Sequence, residues 1–300
     1  MTTTAAAAAS PTPTKGRSLW EDARRRLARN SAAMVSLWIL AALALLAIVG
    51  PSLWNVWSGH AVDEIYRDRV GIAPTLANMH WLGTDSEGRD MVARTLFGLG
   101  ISLQVGVVAT FVALVIGVLW GATAGYVGGA VDQVMMRIVD ILYAVPFIFF
   151  VILLMVVFGR ELILIFVAIG AVEWLTMARI VRGQTIALRN KEFIEAARAG
   201  GVGPGGIIVR HVVPNVLGPV VIYATINVAR VILLESFLSF LGLGVQEPLT
   251  SLGALISAGA RQMETTPWML IAPAMVMFVT LLCLNFLGDG LRDALDPKDR

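Results

Sequence analysis

The sequence predicts an all-α membrane protein with six transmembrane helices, and three observations support this fold class. First, 57% of its 300 residues are apolar and only 15% are charged, with a mean hydropathy of +0.77, whereas soluble domains carry about 25% charged residues. Second, six apolar stretches are each long enough to cross about 30 Å of hydrocarbon. Third, lysine and arginine concentrate in alternate connections between these stretches, a pattern typical of membrane proteins.

The first 30 residues are predicted to form a partly disordered tail on the cytoplasmic side. Residues 1–14 are rich in Thr, Ala and Pro, which is a low-complexity composition, and a basic stretch follows them. The apolar run from Ala32 to Trp54 is longer than the core of a signal peptide and lacks a convincing cleavage site. We therefore expect a retained signal anchor, with the first transmembrane helix over residues 31–55.

Five further apolar stretches predict a five-helix core over residues 101–290. In the first of these stretches, Gly117, Gly121 and Gly125 repeat every fourth residue, which predicts close packing against another helix. A short segment around Arg160 separates the next two stretches, so these are expected to form a tight helical hairpin. The five stretches cover residues 101–126, 137–158, 162–180, 215–243 and 268–288.

The distribution of basic residues predicts which side of the membrane each connection faces. When the N-terminus is placed in the cytoplasm, most lysines and arginines fall on the inside, as the positive-inside rule requires. The loop over residues 181–214 and a tail over residues 291–300 are then cytoplasmic, and the connection over residues 56–100 is periplasmic. The expected location is a bacterial inner membrane, with both termini in the cytoplasm.

Several kinds of chemistry are missing from the sequence. A P-loop needs a lysine between a glycine and a serine or threonine, and none of the three lysines has these neighbours. No two of the three histidines are spaced as in an HExxH zinc site. Asp85, Glu87 and Asp90 lack the spacing of a calcium loop and are interpreted as a solvated turn. We predict no catalytic residue, no metal site, no cofactor and no nucleic-acid partner.

The loop over residues 181–214 is predicted to contain two short helices. Lys191–Ala199 combines alanines with charges that favour a helix, and Gly200-Gly201 would end it. A second short helix is expected from Ile207 to about Val213, ending at Pro214. The first helix has two interpretations: it docks onto a partner protein, with its Phe-Ile pair anchored in the partner's groove, or it rests on lipid headgroups.

Three sets of segments match known patterns. The first comprises Glu195-Ala196-Ala197, Gly201 and His211-Val212-Val213-Pro214; it resembles the EAA signature of ABC importer permeases, although His211 stands where that family usually has an apolar residue. The second comprises Leu82–Asp85 with Gly88–Asp90, Leu238–Gly244 and Gly288–Pro297; it resembles the dipeptide/oligopeptide and nickel branch of the family. The third comprises Gly16–Trp20, Met177–Thr185 and Asp296–Arg300; it is similar to the C-type subunits of oligopeptide permeases.

This resemblance implies a type I ABC importer permease fold and a role in moving oligopeptides across the membrane. Such a subunit works with a homologous second permease subunit, two separate ATPase subunits and a periplasmic or lipid-anchored peptide-binding protein. The residues assigned to contact with the ATPase subunits are Phe193, Glu195, Ala196, Ala197, Gly201, His211 and Pro214. The alternatives are a permease for dipeptides, nickel or another small solute and, in a different class, an ATP-independent secondary transporter.

Two ionisable residues within the fifth of the six predicted spans are candidates for the pore or its gate. Arg230 lies near the middle of the stretch 215–243, where a charge is costly, so it either contacts an acidic group of a passing peptide or forms an ion pair between helices. Glu235 is a candidate gate residue or a buried hydrogen-bonded side chain, and the same buried role is the favoured interpretation of Glu173. An ion pair between Arg137 and Asp140 is also expected, because the two are three residues apart on one helix.

Overall fold

The structure is a computed structural model that describes residues 19–159 and 161–295. Within these residues the chain is helical and contains no β-strand, which confirms the all-α prediction. The tail over residues 1–14 and the segments 16–18 and 296–300 lie outside the described residues. The helices are α1 (Leu19–Arg29), α2 (Ser31–Ser58), α3 (Met91–Val127), α4 (Gly129–Ala144), α5 (Phe147–Phe158), α6 (Leu162–Leu188), α7 (Glu192–Ala199), α8 (Pro204–Ile207), a π-helical turn (Ile208–Val212), α9 (Val213–Phe240), α10 (Leu252–Ala260) and α11 (Trp268–Leu295).

Five helical runs of the described chain are long and apolar enough to cross a membrane: α2, α3, α6, the continuous run 204–240 and α11. The pair α4 and α5 makes a sixth crossing if it is counted as one span, but it is bent by 81°. The prediction of one helix over residues 137–158 is therefore wrong. Val145 is extended and Pro146 follows it, because proline lacks an N–H and disfavours helical geometry in the residue before it.

Helix α3 begins at Met91, inside the segment that was predicted to be a connection up to residue 100. The side chain of Asp90 accepts a hydrogen bond from the backbone N–H of Ala93 at 2.8 Å, which is the contact expected of a helix N-cap. Met91 and Arg94 are buried in the first turn. The cap and this burial together explain why the helix starts earlier than hydropathy alone suggests.

The close packing predicted for the glycines of α3 is confirmed. A Cβ atom at Gly117 would lie 2.6 Å from the Met177 Cβ, and one at Gly125 would lie 2.8 Å from the Arg182 carbonyl oxygen. A Cβ at Gly121 would collide with the Ala178 carbonyl oxygen. The backbones of α3 and α6 therefore approach closely, and this pair forms the centre of the bundle.

The bundle has two ends that differ in what they carry. One end, which we call the loop end, contains α7 and the π-helical turn. The described beginning and end of the chain also lie there, and Gly290 of α11 packs against Ala33 of α2. At the opposite end lie the connections 59–90 and 241–267. These two connections contact each other where Arg89 Nη2 donates a hydrogen bond to Glu247 Oε1 at 2.9 Å.

Candidate functional site

Helix α7 forms where the sequence predicted it and ends at the predicted glycines. Gly201 has a φ of +82°, and the Val202 N–H donates to the Ala197 carbonyl at 3.1 Å, as in a helix that closes with a left-handed residue. A Cβ at Gly201 would meet nothing within 4 Å. The backbone conformation, rather than a lack of space, is therefore what requires glycine here.

The inner side of α7 is anchored in the core of its own chain. Ile194 is fully buried and packs in a cluster with Tyr126 of α3 and Val181 of α6. The guanidinium carbon of Arg198 lies 5.8 Å from the centre of the Tyr126 ring, within cation–π range. The prediction that Ile194 anchors in a partner's groove together with Phe193 is therefore wrong, because Ile194 already fills a site in this chain.

The outer side of α7 is open. Phe193 is 41% exposed, Glu195 and Ala196 are exposed, and Ala197 is half-buried. A large aromatic side chain next to small residues and a carboxylate is suited to contact with another surface. No described residue covers this surface. Docking onto a partner protein and contact with lipid headgroups, the two interpretations of α7 from the sequence, are therefore both compatible with the structure.

The helix predicted to end at Pro214 continues instead, and that prediction is wrong. The π-helical turn Ile208–Val212 shifts the hydrogen bonding by one residue, so that the Val213 N–H donates to the Ile208 carbonyl. Pro214 then falls at the start of α9, where its missing N–H is tolerated better than in a helix interior. His211 is half-buried within this turn, and its carbonyl accepts a hydrogen bond from the Asn215 side chain at 2.7 Å.

Arg230 on α9 faces Glu173 on α6. The Arg230 Nε lies 3.7 Å from Glu173 Oε1, an ion pair that is too long for a hydrogen bond. The Arg230 side chain is 55% exposed, whereas that of Glu173 is 4% exposed. Glu173 Oε2 is buried and has no hydrogen-bond partner among the described residues. The sequence had left an ion pair across a helix interface as one interpretation of Arg230, and the structure shows this pair.

A cavity of about 250 Å³ lies beside this ion pair, where the chain breaks between α4 and α5. Tyr143 and Pro146 line it from the break, and Glu173, Thr176 and Arg230 line it from α6 and α9. The hydroxyl groups of Tyr143 and Thr176 are 3.2 Å apart. Non-helical backbone at membrane depth is tolerated where it is buried in protein or lines a water-filled cavity.

Charged pairs continue from this cavity towards the loop end along α4 and α6. Arg179 Nη2 donates to Asp140 Oδ1 at 2.8 Å, so Asp140 pairs with Arg179 and the predicted pair with Arg137 is wrong. Arg182 Nη2 donates to Asp132 Oδ2 at 2.7 Å. The side chains of Arg179 and Asp140 are 43% and 54% exposed. We call the surface formed by these two pairs and the cavity the polar stripe.

Glu235 has no exposed surface and lies in a cluster of serines. The hydroxyl groups of Ser251, Ser239 and Ser102 donate to its carboxylate at 2.6, 2.8 and 3.4 Å. Ser102 belongs to α3 and Ser251 is the N-cap of α10. The carboxylate therefore joins three elements near the opposite end, and it lies apart from the cavity that contains Arg230.

The prediction of a solvated turn at Asp85, Glu87 and Asp90 is wrong for both aspartates. Asp85 and Asp90 are buried, and only Glu87 keeps an exposed side chain. Asp85 accepts a hydrogen bond from Arg89 Nε at 2.8 Å, and Asp90 accepts one from Trp54 Nε1 at 2.9 Å. Trp54 is 36 positions from Asp90, so the local spacing of the acids did not reveal that contact.

The structure also brings His60, His80 and Asp90 together, with one donor atom from each within 4.8 Å of the others. The spacing rule applied to the sequence missed this group, because its members come from separate turns. Their ring nitrogens already have partners: His60 Nδ1 lies 2.8 Å from the Tyr66 hydroxyl, and His80 Nδ1 lies 2.9 Å from Asp90 Oδ2. Arg69 Nη1 lies 3.4 Å from His80 Nε2. A cation would have to break these contacts, so the group fits a hydrogen-bonded cluster better than a metal site.

An all-α bundle of apolar spans, with an anchored loop helix at one end and a polar stripe along α4 and α6, has the features of a polytopic membrane transport subunit. The family model described as the binding-protein-dependent transport system inner membrane component matches residues 113–300, and the chain belongs to this family. A second model, the N-terminal transmembrane domain of oligopeptide transport permease C, matches residues 18–66. The permease fold expected from the EAA resemblance is thereby confirmed, and the chain is an integral inner-membrane component of a transport system.

Individual relatives cover nearly the whole chain. The oligopeptide transport system permease protein OppC of Escherichia coli K12 is 58% identical over 95% of this chain and 93% of its own length. The protein of the same name from Haemophilus influenzae is 54% identical over 95% of this chain and 91% of its own length. The dipeptide transport system permease protein DppC of Bacillus subtilis is 43% identical over 93% of this chain and 86% of its own length.

Proposed function

We propose that this chain is the non-catalytic permease subunit of an ATP-driven importer of oligopeptides. The permeases with the highest identities above carry oligopeptide transport in their names, and the sequence contains no P-loop. ATP hydrolysis then belongs to separate ATPase subunits. A homologous second permease subunit completes the pore, and a periplasmic or lipid-anchored binding protein delivers the peptide.

The observation that carries this proposal is the connection between α7 and the run 204–240. Ile194 of α7 shares one buried cluster with Ile207, Val212 and Val216. The run is helical without interruption as far as Phe240 and includes Arg230. Movement of α7 by an ATPase subunit would therefore be transmitted to a helix that borders the polar stripe, since packed interiors move as units.

The ATPase-facing surface is proposed to be the outer side of α7 with the turn that follows it. Phe193 supplies the apolar contact, Glu195 the charge, and Ala196 with Ala197 the close approach. Gly201 ends the helix in the conformation that this surface needs. His211 and Pro214 set the junction between the π-helical turn and α9.

The pore is proposed to run along the polar stripe, with Arg230 as a cargo contact. Arg179, Asp140 and Arg230 are each about half-exposed, and charged groups within a membrane span are costly against lipid; the cost is removed if they border a water-filled path or a second permease subunit. Glu235 is enclosed by serines, so we assign it to holding α3, α9 and α10 together rather than to contact with cargo.

The topology proposed here places the loop end in the cytoplasm. The tail 1–30, the loop 181–214 and residues 291–300 are then inside, and the connection 59–90 faces the binding protein. The identity to a dipeptide permease keeps dipeptides as the second candidate cargo. No observation favours nickel or an ATP-independent transporter.

The coupling proposal is tested with the substitution Glu195→Arg in the complete complex, reconstituted in liposomes with its ATPase subunits and binding protein. Because Glu195 is exposed, the variant should insert into the membrane and fold as the natural protein does. ATP-dependent uptake of radiolabelled oligopeptide should fall about tenfold or more, the effect of losing roughly 1.4 kcal/mol or more of coupling, whereas the basal ATPase rate persists.

The matched control is Glu264→Arg, since Glu264 is exposed at the opposite end; it should leave uptake unchanged. Normal uptake by the Glu195→Arg complex would show that α7 is not the coupling element. Uptake by this chain alone, without ATP, would overturn the importer proposal. Uptake of dipeptides in preference to longer peptides would transfer the proposal to the second cargo.

A further inference from the structure

The buried carboxylate of Glu173 lacks part of its hydrogen bonding within the described residues. Its Oε2 atom is buried and makes no hydrogen bond within the described residues, and its Oε1 atom is 3.7 Å from Arg230. A buried polar atom without a partner is costly, and the cost is larger when the group is charged. Glu173 also lines a cavity of about 250 Å³, so its side chain lies at the wall of a space that a ligand can occupy.

Resting on the proposed function, we infer that Glu173 binds the amino-terminal ammonium group of the cargo peptide. The unpaired atom is a carboxylate oxygen, which accepts hydrogen bonds and attracts a cation. Arg230 is half-exposed and thus keeps contact with solvent or a second subunit. The unmet requirement of the site is therefore a positively charged donor at Glu173, which is what a peptide amino terminus supplies.

The surroundings of Glu173 fit the rest of a peptide terminus. The cavity is large enough for a terminal residue, and the hydroxyl groups of Tyr143 and Thr176 lie on its wall. Residues on both sides of the break at Pro146 line it, and helix ends leave main-chain groups without partners in the helix. Arg230 is placed to donate to the first carbonyl oxygens of the peptide.

An ion pair that served only to hold α6 against α9 would not explain this arrangement. A carboxylate that served only to hold Arg230 would be expected to make close, paired hydrogen bonds with it, as Asp132 does with Arg182 at 2.7 Å. Glu173 and Arg230 are held at a longer distance instead. The spacing leaves room for a third group, and the inference assigns that group to the cargo.

The experiment uses the complete complex in lipid nanodiscs, without nucleotide and without binding protein, so that only the membrane site is probed. A short peptide carries a photoreactive diazirine in its first residue and is prepared with a free amino terminus and as its N-acetyl derivative. After illumination, crosslinking to this chain is measured by mass spectrometry. The free peptide should crosslink to residues 142–147 or 172–176 about tenfold more than the acetylated peptide, because acetylation removes the charged donor of the hydrogen bond to Glu173.

The variant Glu173→Gln should lower crosslinking of the free peptide by about the same factor and leave that of the acetylated peptide unchanged. The control Glu264→Gln removes an exposed glutamate and should change neither. Equal crosslinking of the two peptides to the natural protein, or absence of crosslinks in both segments, would overturn the inference. The comparison of the two peptides needs no variant, so it decides even if Glu173→Gln fails to assemble.

The two levels of proposal fail differently. If the proposed function is wrong, the natural complex shows no ATP-dependent uptake of any peptide. If only the assignment of Glu173 is wrong, uptake persists and crosslinking does not depend on the free amino terminus.

Discussion

Asp90 shows how a single side chain positions the start of a transmembrane helix. One carboxylate oxygen accepts hydrogen bonds from the Ala93 N–H and from Trp54 Nε1, and the other contacts His80. The residue is fully buried, so its charge is compensated by these donors rather than by water. The same side chain thereby ends the connection 59–90, starts α3 and joins it to α2.

Glu247 has a comparable role on the connection that follows α9. Arg89 Nη2 donates to Glu247 Oε1 at 2.9 Å, and Arg94 Nη2 donates to the same oxygen at 3.2 Å. The hydrogen bond from Arg89, followed by the positive charges of both arginines, lowers the pKa of the Glu247 carboxyl below its ordinary value. The ionised form is thus the one that the fold stabilises.

The substitution Glu247→Gln should therefore destabilise the protein at neutral pH. The contribution of the carboxylate is fully present above the ordinary glutamate pKa of about 4.3, and it is lost as the pH falls through the lowered pKa of the folded state. Because the side chain is 56% exposed, the loss should be at most about 1 kcal/mol. Thermal unfolding in detergent at pH 7 and at acidic pH measures it.

The difference between Glu247→Gln and the natural protein should narrow on acidification, because both then carry an uncharged group at this position. The control Glu264→Gln should show no difference at either pH, since Glu264 is exposed. A difference that stays constant down to acidic pH would contradict the ion-pair explanation.

At the scale of elements, the contact between α3 and α6 depends on the absence of side chains. The glycine at position 121 faces the backbone of α6 so closely that an added Cβ would overlap the Ala178 carbonyl oxygen and lie 2.9 Å from the Arg182 N atom. A backbone cannot yield in the way that a flexible side chain does. The two helices would have to separate, and α6 carries both Glu173 and the arginines of the polar stripe.

The substitution Gly121→Ala should lower the free energy of unfolding by about 1–3 kcal/mol, the usual cost of overpacking, and should reduce the yield of monodisperse protein. Fluorescence-detected size-exclusion chromatography after heating provides the measurement. The matched control is Gly183→Ala on α6, where a Cβ would meet nothing within 4 Å; it should be neutral or slightly stabilising, because alanine favours a helix more than glycine does. Equal effects of the two substitutions would show that contact between α3 and α6 is not the cause.

At the scale of the whole molecule, the chain alternates between the two ends of the bundle. The start of α2, the turn between α3 and α4, α7 and the end of α11 share the loop end, as the contact of Gly128 with Arg189 and that of Gly290 with Ala33 show. The positive-inside rule predicts that the loop end faces the cytoplasm. The assignment is open to a direct chemical test, because the sequence has one cysteine and Cys283 is buried.

Single cysteines introduced as Glu192→Cys and Met263→Cys should report the two sides. Both positions are exposed, the first at the loop end and the second at the opposite end. A membrane-impermeant maleimide should label Met263→Cys in spheroplasts, and it should label Glu192→Cys only in inverted vesicles that have been washed free of peripheral subunits. The natural protein should remain unlabelled in both. The reverse pattern would invert the proposed topology, and labelling of both cysteines from one side would contradict the bundle.

The apolar stretches and the α7 helix could be predicted from the sequence for a local reason. Hydropathy over a stretch of residues measures whether that stretch can be transferred into lipid, and the glycines after Ala199 end a helix through their own backbone freedom. The continuation of the helix past Pro214 could not be predicted in this way. A proline in the sequence indicates the end of a helix, and only the structure shows the π-helical turn that accommodates Pro214 at the start of α9. The break between α4 and α5 at Pro146 was missed because the apolar stretch continues across it, and hydropathy does not register a change in helix direction.

The sequence by itself determined that this is an all-α membrane protein of the permease family with a short loop helix over Lys191–Ala199 and no P-loop, because these properties depend on composition and on residues close together in the chain. Only the tertiary structure decided which charged groups meet. Arg89 and Glu247 are separated by 158 positions, and Glu173 and Arg230 lie on different helices. Their pairing depends on how the helices cross, and so does the unpaired oxygen of Glu173 on which the proposed contact with cargo rests.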